Sequence, residues 1–400
     1  MTTETIITIK DKYKKNYQQG YPLIEKEAIS NIKTLTSEGI IISLIDDQGN
    51  FLGKGYFGKQ NKGYGWILSS NKHETINRAF FTHKISTAIK ARDVFFNNKE
   101  TTAFRVFNGE GDGIGGLTID YFAGAYLITW YSQGIYAFKE DILFALEQAV
   151  QYQAIYEKKR FSNTGQYMED DDFVKGERIE FPIIVKENGV NFAIYLNDGA
   201  MVGVFLDQRD VRKAIMDRYA KNRTVLNTFS YTGAFSIFAA LGGASKTTSV
   251  DLANRSKGRT IEHFQINAID DEKHAIIVED VFQYFKYAVR KQLKFDTVIL
   301  DPPSFARSKK VTFSVAKDYK NLLKEAIVIT ERNGIIIAST NSTAFGMKKF
   351  KGFIQTAFKE LGSTYQILEE FSLPNDFKTT RDFPEGNYLK VVIIKANTTD

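Results

Sequence analysis

Four positions in this chain stand at or just past short apolar runs: Gly233, Asp251, Asp280 and Asp301, the last heading the motif Asp301-Pro-Pro-Ser-Phe305. Acids so placed can accept hydrogen bonds from a bound nucleoside or base. A glycine turn opening a helix offers backbone N–H groups to an anion, and Ser230 beside it adds a hydroxyl. What the chain lacks is equally informative. It has no cysteine, which excludes disulfides, thiolate metal sites and a thiolate nucleophile. Its four histidines, His73, His83, His263 and His274, show no ligand spacing, so no metal centre is expected.

The elements that must position these groups follow from the pattern around them. Val225–Asp251 reads as a strand, a tight turn at Gly233, an apolar helix and a second strand ending on an acid. That is the β-α-β unit of a doubly wound α/β domain, where ligands bind beyond the carboxyl ends of the strands. A dinucleotide fold needs three glycines at this turn; here Asn227–Ser236 has one, Gly233, with the bulky Phe229 and Tyr231 just before it, and no Walker lysine follows. NAD, FAD and nucleoside triphosphates are therefore disfavoured. A ribose cofactor without phosphates fits, and S-adenosylmethionine is the expectation. Asn227, Phe229, Ser230, Tyr231 and Gly233 form its turn, with Ser230 and the helix amides on its carboxylate. Asp251 is placed for the ribose hydroxyls and Asp280 for the adenine amino group. The competing role for either acid is a loop or helix cap.

Around this unit the chain alternates. Residues 1–75 read as a small β-rich module, with strands at 40–45, 50–53 and 63–68 and a break at Gly53-Lys-Gly55. Spacing predicts helices over 75–97 and 135–150 and strands at 104–107, 117–121 and 126–131. The glycine-rich 108–116 is read as a turn between strands, residues 160–178 as a mobile loop, and 183–195 as a hairpin turning at Asn188-Gly189. From Phe205 onward strands and helices alternate, ending in two consecutive strands. The expected fold is α/β, with a Rossmann-like domain built on a seven-stranded, mostly parallel sheet with an antiparallel edge.

Net charge is +6, with pI about 9.0. Lys54, Lys59, Lys62, Lys72, Arg78, Lys84, Lys90 and Arg92 face one acid, Glu74, and are interleaved with Tyr56, Phe57, Tyr64, Trp66, Phe80 and Phe81. Cations among stacking rings suit an RNA surface; a solvated face over an aromatic core is an equal alternative. No apolar run approaches a membrane span and the N-terminus has no secretory layout, so a cytoplasmic protein with no membrane partner is expected.

Taken together, Gly109-Glu-Gly-Asp-Gly113 with Gly116-Leu-Thr-Ile-Asp120, Phe205-Leu-Asp-Gln-Arg209, Asn227-Thr-Phe-Ser-Tyr-Thr-Gly-Ala-Phe-Ser236, Asp301-Pro-Pro-Ser-Phe305 and Phe383-Pro-Glu-Gly-Asn-Tyr-Leu-Lys390 resemble a known family. It is that of the PUA-domain-containing class I methyltransferases of large-subunit ribosomal RNA, RlmI-like. The resemblance implies a PUA-like domain over 1–75, a middle α/β domain over 76–200 and a Rossmann-like methyltransferase domain over 201–400. It also implies that Gln208 and Arg209 lie near the cofactor, that ribosomal RNA is the partner, and it leaves room for a homodimer. The chain departs from the family in chemistry. Carbon 5 of a pyrimidine is methylated through a cysteine adduct, and where that cysteine would follow the fifth strand this chain has Ala338-Ser-Thr-Asn-Ser-Thr343, with Asn341 about in its place. Direct transfer to a lone pair such as guanine N7 is therefore preferred, with Asp301 and Phe305 positioning the base. An exocyclic amine is weakened by Ser304 where an aromatic ring is needed. Cytosine-5 methylation despite the missing cysteine, and a non-catalytic assembly factor, are the alternatives. An oxidoreductase is disfavoured by the missing glycines.

Overall fold

The computed structural model describes residues 4–60, 63–161, 172–199, 201–307 and 312–397. The chain divides into two units, one of residues 1–186, 194–202 and 375–386, the other of 187–193, 203–374 and 387–400.

The first unit carries two sheets. Strands β1 (Thr5–Thr8), β2 (Ile41–Ile45), β3 (Phe51–Gln60) and β4 (Gly63–Ser69) pair in that order, β1 parallel to β2 and the rest antiparallel. The expected break at Gly53-Lys-Gly55 is instead inside the long β3. Gly55 is there because the Trp66 carbonyl oxygen comes so close that a Cβ would lie 1.9 Å from it. The second sheet runs β5 (Ala103–Asn108), β6 (Leu117–Phe122), β7 (Ala125–Trp130), β8 (Ala154–Lys159) and β9 (Phe173–Gly176). The glycine-rich stretch is a turn between antiparallel β5 and β6, as expected. β9 falls in the stretch read as a mobile loop, and residues 162–171 of that stretch lie outside the described residues. β10 (Ile183–Glu187) and β11 (Val190–Ile194) form the expected hairpin, with Asn188 and Gly189 both at positive φ (50° and 82°).

The predicted 75–97 helix is Arg78–Lys90, capped by the Asn77 side chain on the Phe80 N–H, followed by a single turn at Asp93–Phe96. The break falls at Arg92, whose guanidinium turns inward. It donates two 2.8 Å bonds to the Asp112 carboxylate and a 2.7 Å bond to the Asp376 carbonyl. This overturns part of the RNA-surface reading. Arg92 and Lys54 are buried, Lys54 Nζ donating to the carbonyls of Lys72 and Glu74, and Tyr56, Phe57, Trp66, Phe80 and Phe81 are core residues. Segment 375–386, placed by sequence in the C-terminal domain, also packs here. Arg105 N–H donates to the Asp376 carboxylate at 2.8 Å, Asn108 Nδ2 donates to the Lys378 carbonyl, and Phe383 meets Trp66 edge-on.

In the second unit the strands are apolar on both faces, which requires cover on both sides. Ile335 and Ile337 pack with Val225, Ile299, Val391 and Ile393; Ile336 and Ala338 pack on the opposite face with Leu226, Val298, Leu300, Val392 and Ile394. The strands are β12 (Thr224–Thr228), β13 (Lys246–Asp251), β14 (Ala275–Val278), β15 (Phe295–Leu300), β18 (Thr330–Thr340), β19 (Thr364–Phe371) and β20 (Lys390–Asn397). A two-stranded ribbon, β16 (Phe305–Arg307) with β17 (Thr312–Ser314), lies between β15 and β18 in the chain. The sheet order is β14-β13-β12-β15-β18-β20-β19, the first five parallel and β20 antiparallel to both neighbours. This is the expected seven-stranded sheet. Its order reverses direction between β12 and β15, the switch point beyond whose carboxyl ends ligands bind in folds of this kind.

Candidate active site

β12 ends at Thr228, and the chain then alternates between backbone conformations. Phe229 (φ 55°), Tyr231 (φ 50°) and Gly233 (φ 75°) are left-handed, whereas Ser230 and Thr232 are not. N–H groups of the turn are spent within the protein: Ser230 N–H donates to the Val250 carbonyl at 3.1 Å and Gly233 N–H to the Ser230 carbonyl at 2.8 Å. Two bulky residues at positive φ represent strain that the surroundings must hold. The Asp251 carboxylate holds it, accepting the Tyr231 N–H at 2.8 Å through one oxygen and the Ala253 N–H at 2.9 Å through the other. Thr232 Oγ1 donates to the Gly203 carbonyl at 2.7 Å. Gly233 opens the helix Ala234–Leu241, and a Cβ there would lie 2.5 Å from Thr260 Cγ2. Glycine is required both by φ and by that approach.

Sequence reasoning missed this clamp. Asp251 braces the turn as well as ending β13, and its remaining lone pairs still suit ribose hydroxyls. Asp280 takes the competing role weighed for it, capping helix Val281–Arg290 through Oδ1 on the Phe282 and Gln283 N–H groups. Asn227 is fully buried, and its Nδ2 donates to Ser236 Oγ at 3.0 Å, which in turn meets Ser249 Oγ at 2.7 Å. That chain stitches β12 to the helix and to β13. Phe229 packs against Phe282 and Tyr231 against Phe205.

Asp301 stands one residue past β15. Burial of its carboxyl is the largest influence on its acidity and lifts its pKa from 3.8 to about 6; the hydrogen bond with Ser339 and the Arg212 charge oppose the rise, and the Asp207 charge adds to it. Gln208 bridges it to the next strand, its Nε2 donating to Asp301 Oδ1 at 3.1 Å and to Ser339 Oγ at 2.8 Å. Tyr319 OH donates to the Ser339 carbonyl at 2.9 Å. Tyr319 was not picked out from sequence; Ser339 lies in the run 338–343 that drew attention for its missing cysteine, not as a partner of Gln208. Arg209 is buried, its Nε 3.9 Å from Asp210 Oδ1. Beyond Asp301, Ser304 Oγ donates to Asn341 Oδ1 at 2.7 Å, joining the loops that follow β15 and β18. Phe305 is 61% exposed.

Whether these residues suit S-adenosylmethionine can be judged from polar atoms that the fold buries. Ser230 Oγ, Gln208 Oε1 and Asn227 Oδ1 are buried with no protein hydrogen-bond partner. Unmatched buried polar groups are costly. A hydroxyl on the left-handed turn, an amide oxygen on β12 and another beside Asp301 suit a ligand carrying an ammonium and ribose hydroxyls. Among the described residues no group of three metal-ligating side chains is found, and no helix is long and apolar enough to cross a membrane.

Residues 104–385 match the model of an S-adenosylmethionine-dependent methyltransferase family, and residues 7–70 match that of a PUA-like domain. The chain is 62% identical over 392 residues, 98% of it and 99% of the relative, to a Bacillus subtilis protein carrying the provisional name ribosomal RNA large subunit methyltransferase YwbD. It is 29% identical, over 96% of each chain, to ribosomal RNA large subunit methyltransferase I of Alteromonas mediterranea. Among solved structures it is similar to SMU.776, provisionally titled a methyltransferase and complexed with SAH, with 38% identity, TM-score 0.90 and 98% and 100% of the two chains covered. This chain thus belongs to the S-adenosylmethionine-dependent methyltransferase family, with a PUA-like domain near its N-terminal end.

Proposed function

We propose that this chain methylates a base of large-subunit ribosomal RNA by direct transfer, without a covalent cysteine adduct. The observation that carries the reading is the contact between Ser304 and Asn341. The loop where a nucleophile would stand holds a neutral amide, and the chain has no cysteine to take its place. The relatives' names support ribosomal RNA as the substrate, and the cytoplasm is the proposed place of work. The domain layout that goes with the reading is a PUA-like domain over 1–75, a middle α/β domain over 76–200 and the methyltransferase domain from 201.

Bound S-adenosylmethionine supplies an electrophilic methyl group. In the proposed site Ser230, Tyr231 and Gly233 hold the cofactor's carboxylate end, Gln208 and Arg209 flank it, and Asp251 takes the ribose. Asn227 and Phe229 shape the turn, and Asp280, with its second oxygen, reaches the adenine. On the acceptor side a lone pair such as guanine N7 needs neither acid nor base, only alignment, and alignment alone can supply several kcal/mol. Asp301, ionised above about pH 6, accepts a hydrogen bond from the base, and Phe305 offers a ring face to it.

The test is transfer of a tritiated methyl group to ribosomal RNA lacking the modification, followed by nucleoside identification. Label at a ring or exocyclic nitrogen of a base, such as guanine N7, is the expected result. Recovery of 5-methylcytosine would refute direct transfer. Cofactor binding by calorimetry with no transfer to any RNA would favour an assembly factor instead.

A further inference from the structure

The helix Asn254–Ile266 carries a fully buried histidine, His263, which the proposed reaction does not use. Its ring stands edge-on to Phe192 at 5.2 Å, and both ring nitrogens face backbone carbonyls. Nδ1 lies 3.0 Å from the Thr232 oxygen and Nε2 lies 3.4 Å from the Ala193 oxygen. A carbonyl only accepts, and a neutral imidazole has one N–H to give. The shorter contact falls within the usual N–H···O range and the longer one beyond it, so the proton sits on Nδ1. Burial is the largest influence on the ring and lowers its pKa, outweighing the two carbonyls that favour a second proton. The ring is a neutral donor aimed at Thr232.

Thr232 belongs to the left-handed turn Ser230-Tyr-Thr-Gly233, which three neighbours hold. Asp251 accepts the Tyr231 N–H, the Thr232 hydroxyl donates to the Gly203 carbonyl, and His263 donates to the Thr232 carbonyl. Asp251 is only half-buried, whereas His263 has no exposed surface and acts through the turn alone. Its helix is itself anchored. Thr260, one turn earlier on the same face, puts Cγ2 2.5 Å from where a Cβ on Gly233 would lie. Asn267, one turn later, accepts the Asn191 N–H and donates to the Asn191 carbonyl, both at 2.8 Å. The Gly233 N–H closes on the Ser230 carbonyl at 2.8 Å across Thr232, so the turn moves as one piece. It carries Ser230 Oγ, buried with no protein partner. We infer that His263 is a positioning residue for the cofactor, its Nδ1–H fixing the Thr232 carbonyl and, through the turn, the pose of Ser230 toward S-adenosylmethionine. This inference rests on the proposed placing of the cofactor at this turn and adds to it the residue that keeps the turn in shape.

The experiment measures S-adenosylhomocysteine binding to the full chain by calorimetry, with two variants that separate the ring's two nitrogens. An asparagine amide nitrogen falls about where Nδ1 stood, and a glutamine amide nitrogen about where Nε2 stood. His263→Asn therefore keeps the donor for Thr232 but leaves the larger void beside Phe192. His263→Gln fills more of the space but aims its donor at Ala193. Packing alone favours glutamine; positioning favours asparagine. His263→Asn is expected to bind with close to wild-type affinity, and His263→Gln on the order of tenfold more weakly, even where thermal unfolding ranks glutamine the more stable. In methyl transfer the loss should appear in KM for S-adenosylmethionine, with kcat unchanged. Wild type supplies a measurement that depends on no variant. In nitrogen NMR with isotope-labelled histidine, His263 should be protonated on Nδ1, the opposite of His274, whose Nδ1 accepts the Thr247 N–H at 3.1 Å. The His263 ring signals should also shift when S-adenosylhomocysteine binds. Glutamine binding as tightly as asparagine, a proton on Nε2 of His263, or ring signals unmoved by the ligand overturns the inference and leaves the cofactor's place standing. Ser230→Ala binding as tightly as wild type removes the cofactor from this turn and overturns both.

Discussion

Replacing Asp301 with asparagine should make the protein more stable and less active. The carboxyl's pKa is lifted from 3.8 to about 6, chiefly by burial. Two units at ~1.4 kcal/mol each mean that the ionised carboxylate costs the fold at most about 3 kcal/mol. Between those two pH values the folded protein holds a proton that the unfolded chain has lost. Wild-type stability therefore falls as pH rises through the window from about 4 to about 6, and is lowest above it. Asparagine keeps an acceptor for Gln208 Nε2 without the charge. Asp301→Asn should therefore match wild type near pH 4 and exceed it by up to about 3 kcal/mol at pH 8, a rise of several degrees in Tm for a unit of this size. Calorimetry is the suitable assay, because the chain's two tryptophans, Trp66 and Trp130, both lie in the first unit and would not report on the second. Methyl transfer should drop at least about tenfold while cofactor affinity holds, the signature of a buried charge kept for function. A variant less stable than wild type at pH 8, or one whose advantage does not change with pH, would show that Asp301 is a structural acceptor and refute the reasoning.

Three further outcomes follow from particular contacts. Ser230→Ala removes a buried hydroxyl that has no protein partner, so thermal stability should stay level or rise by up to about 1 kcal/mol, while calorimetry shows S-adenosylhomocysteine binding weakened roughly tenfold. Gly233→Ala meets both a φ of 75° and a 2.5 Å contact with Thr260 Cγ2; it should abolish measurable cofactor binding, and adding Thr260→Ala should recover only the steric part, leaving about 1–2 kcal/mol of backbone strain in the folded state. Arg92→Ala leaves the Asp112 carboxylate buried without its bidentate partner, and should destabilise the first unit by about 3–5 kcal/mol, read by tryptophan fluorescence in urea with cofactor affinity unaffected.

Features governed by local physics were legible in the sequence. Runs such as Ile335-Ile-Ile-Ala338 announce strands covered on both faces, and one glycine ahead of an apolar helix announces the turn from β12 into the helix Ala234–Leu241. Features governed by partners far along the chain were not. β8 was missed because Ala154-Ile-Tyr-Glu-Lys-Lys159 reads as half charged, yet Glu157 and Lys158 are buried. Glu157 is satisfied by Trp130 Nε1 at 3.0 Å and Lys139 at 3.0 Å, and Lys158 by Asp172. Lys54 and Arg92 looked like phosphate-binding cations for the same reason, since composition cannot separate a solvated cation from a buried, paired one. Phe229 and Tyr231 give no hint of positive φ, because bulky side chains rarely take it; the conformation becomes visible only when Asp251 is seen bracing it.

The acceptor side of the site shows how little sequence may distinguish residues with opposite fates. Ser339, Thr340, Asn341 and Ser342 are all small and polar, and any of them could have faced the substrate. Strand parity decides the first two. In β18 the odd residues Ile335 and Ile337 face one core and the even residues Ile336 and Ala338 the other, so Ser339 and Thr340 continue into cover on either side, and Thr340 pairs with Lys390 as the last rung against β20. Asn341 is the first residue free of that ladder, and a bond across to Ser304 fixes it there. A shift of one residue in where β18 ends would put a hydroxyl at that place instead. Which side chain is exposed after β18 therefore depends on strand length and register, which periodicity locates only to within a residue or two.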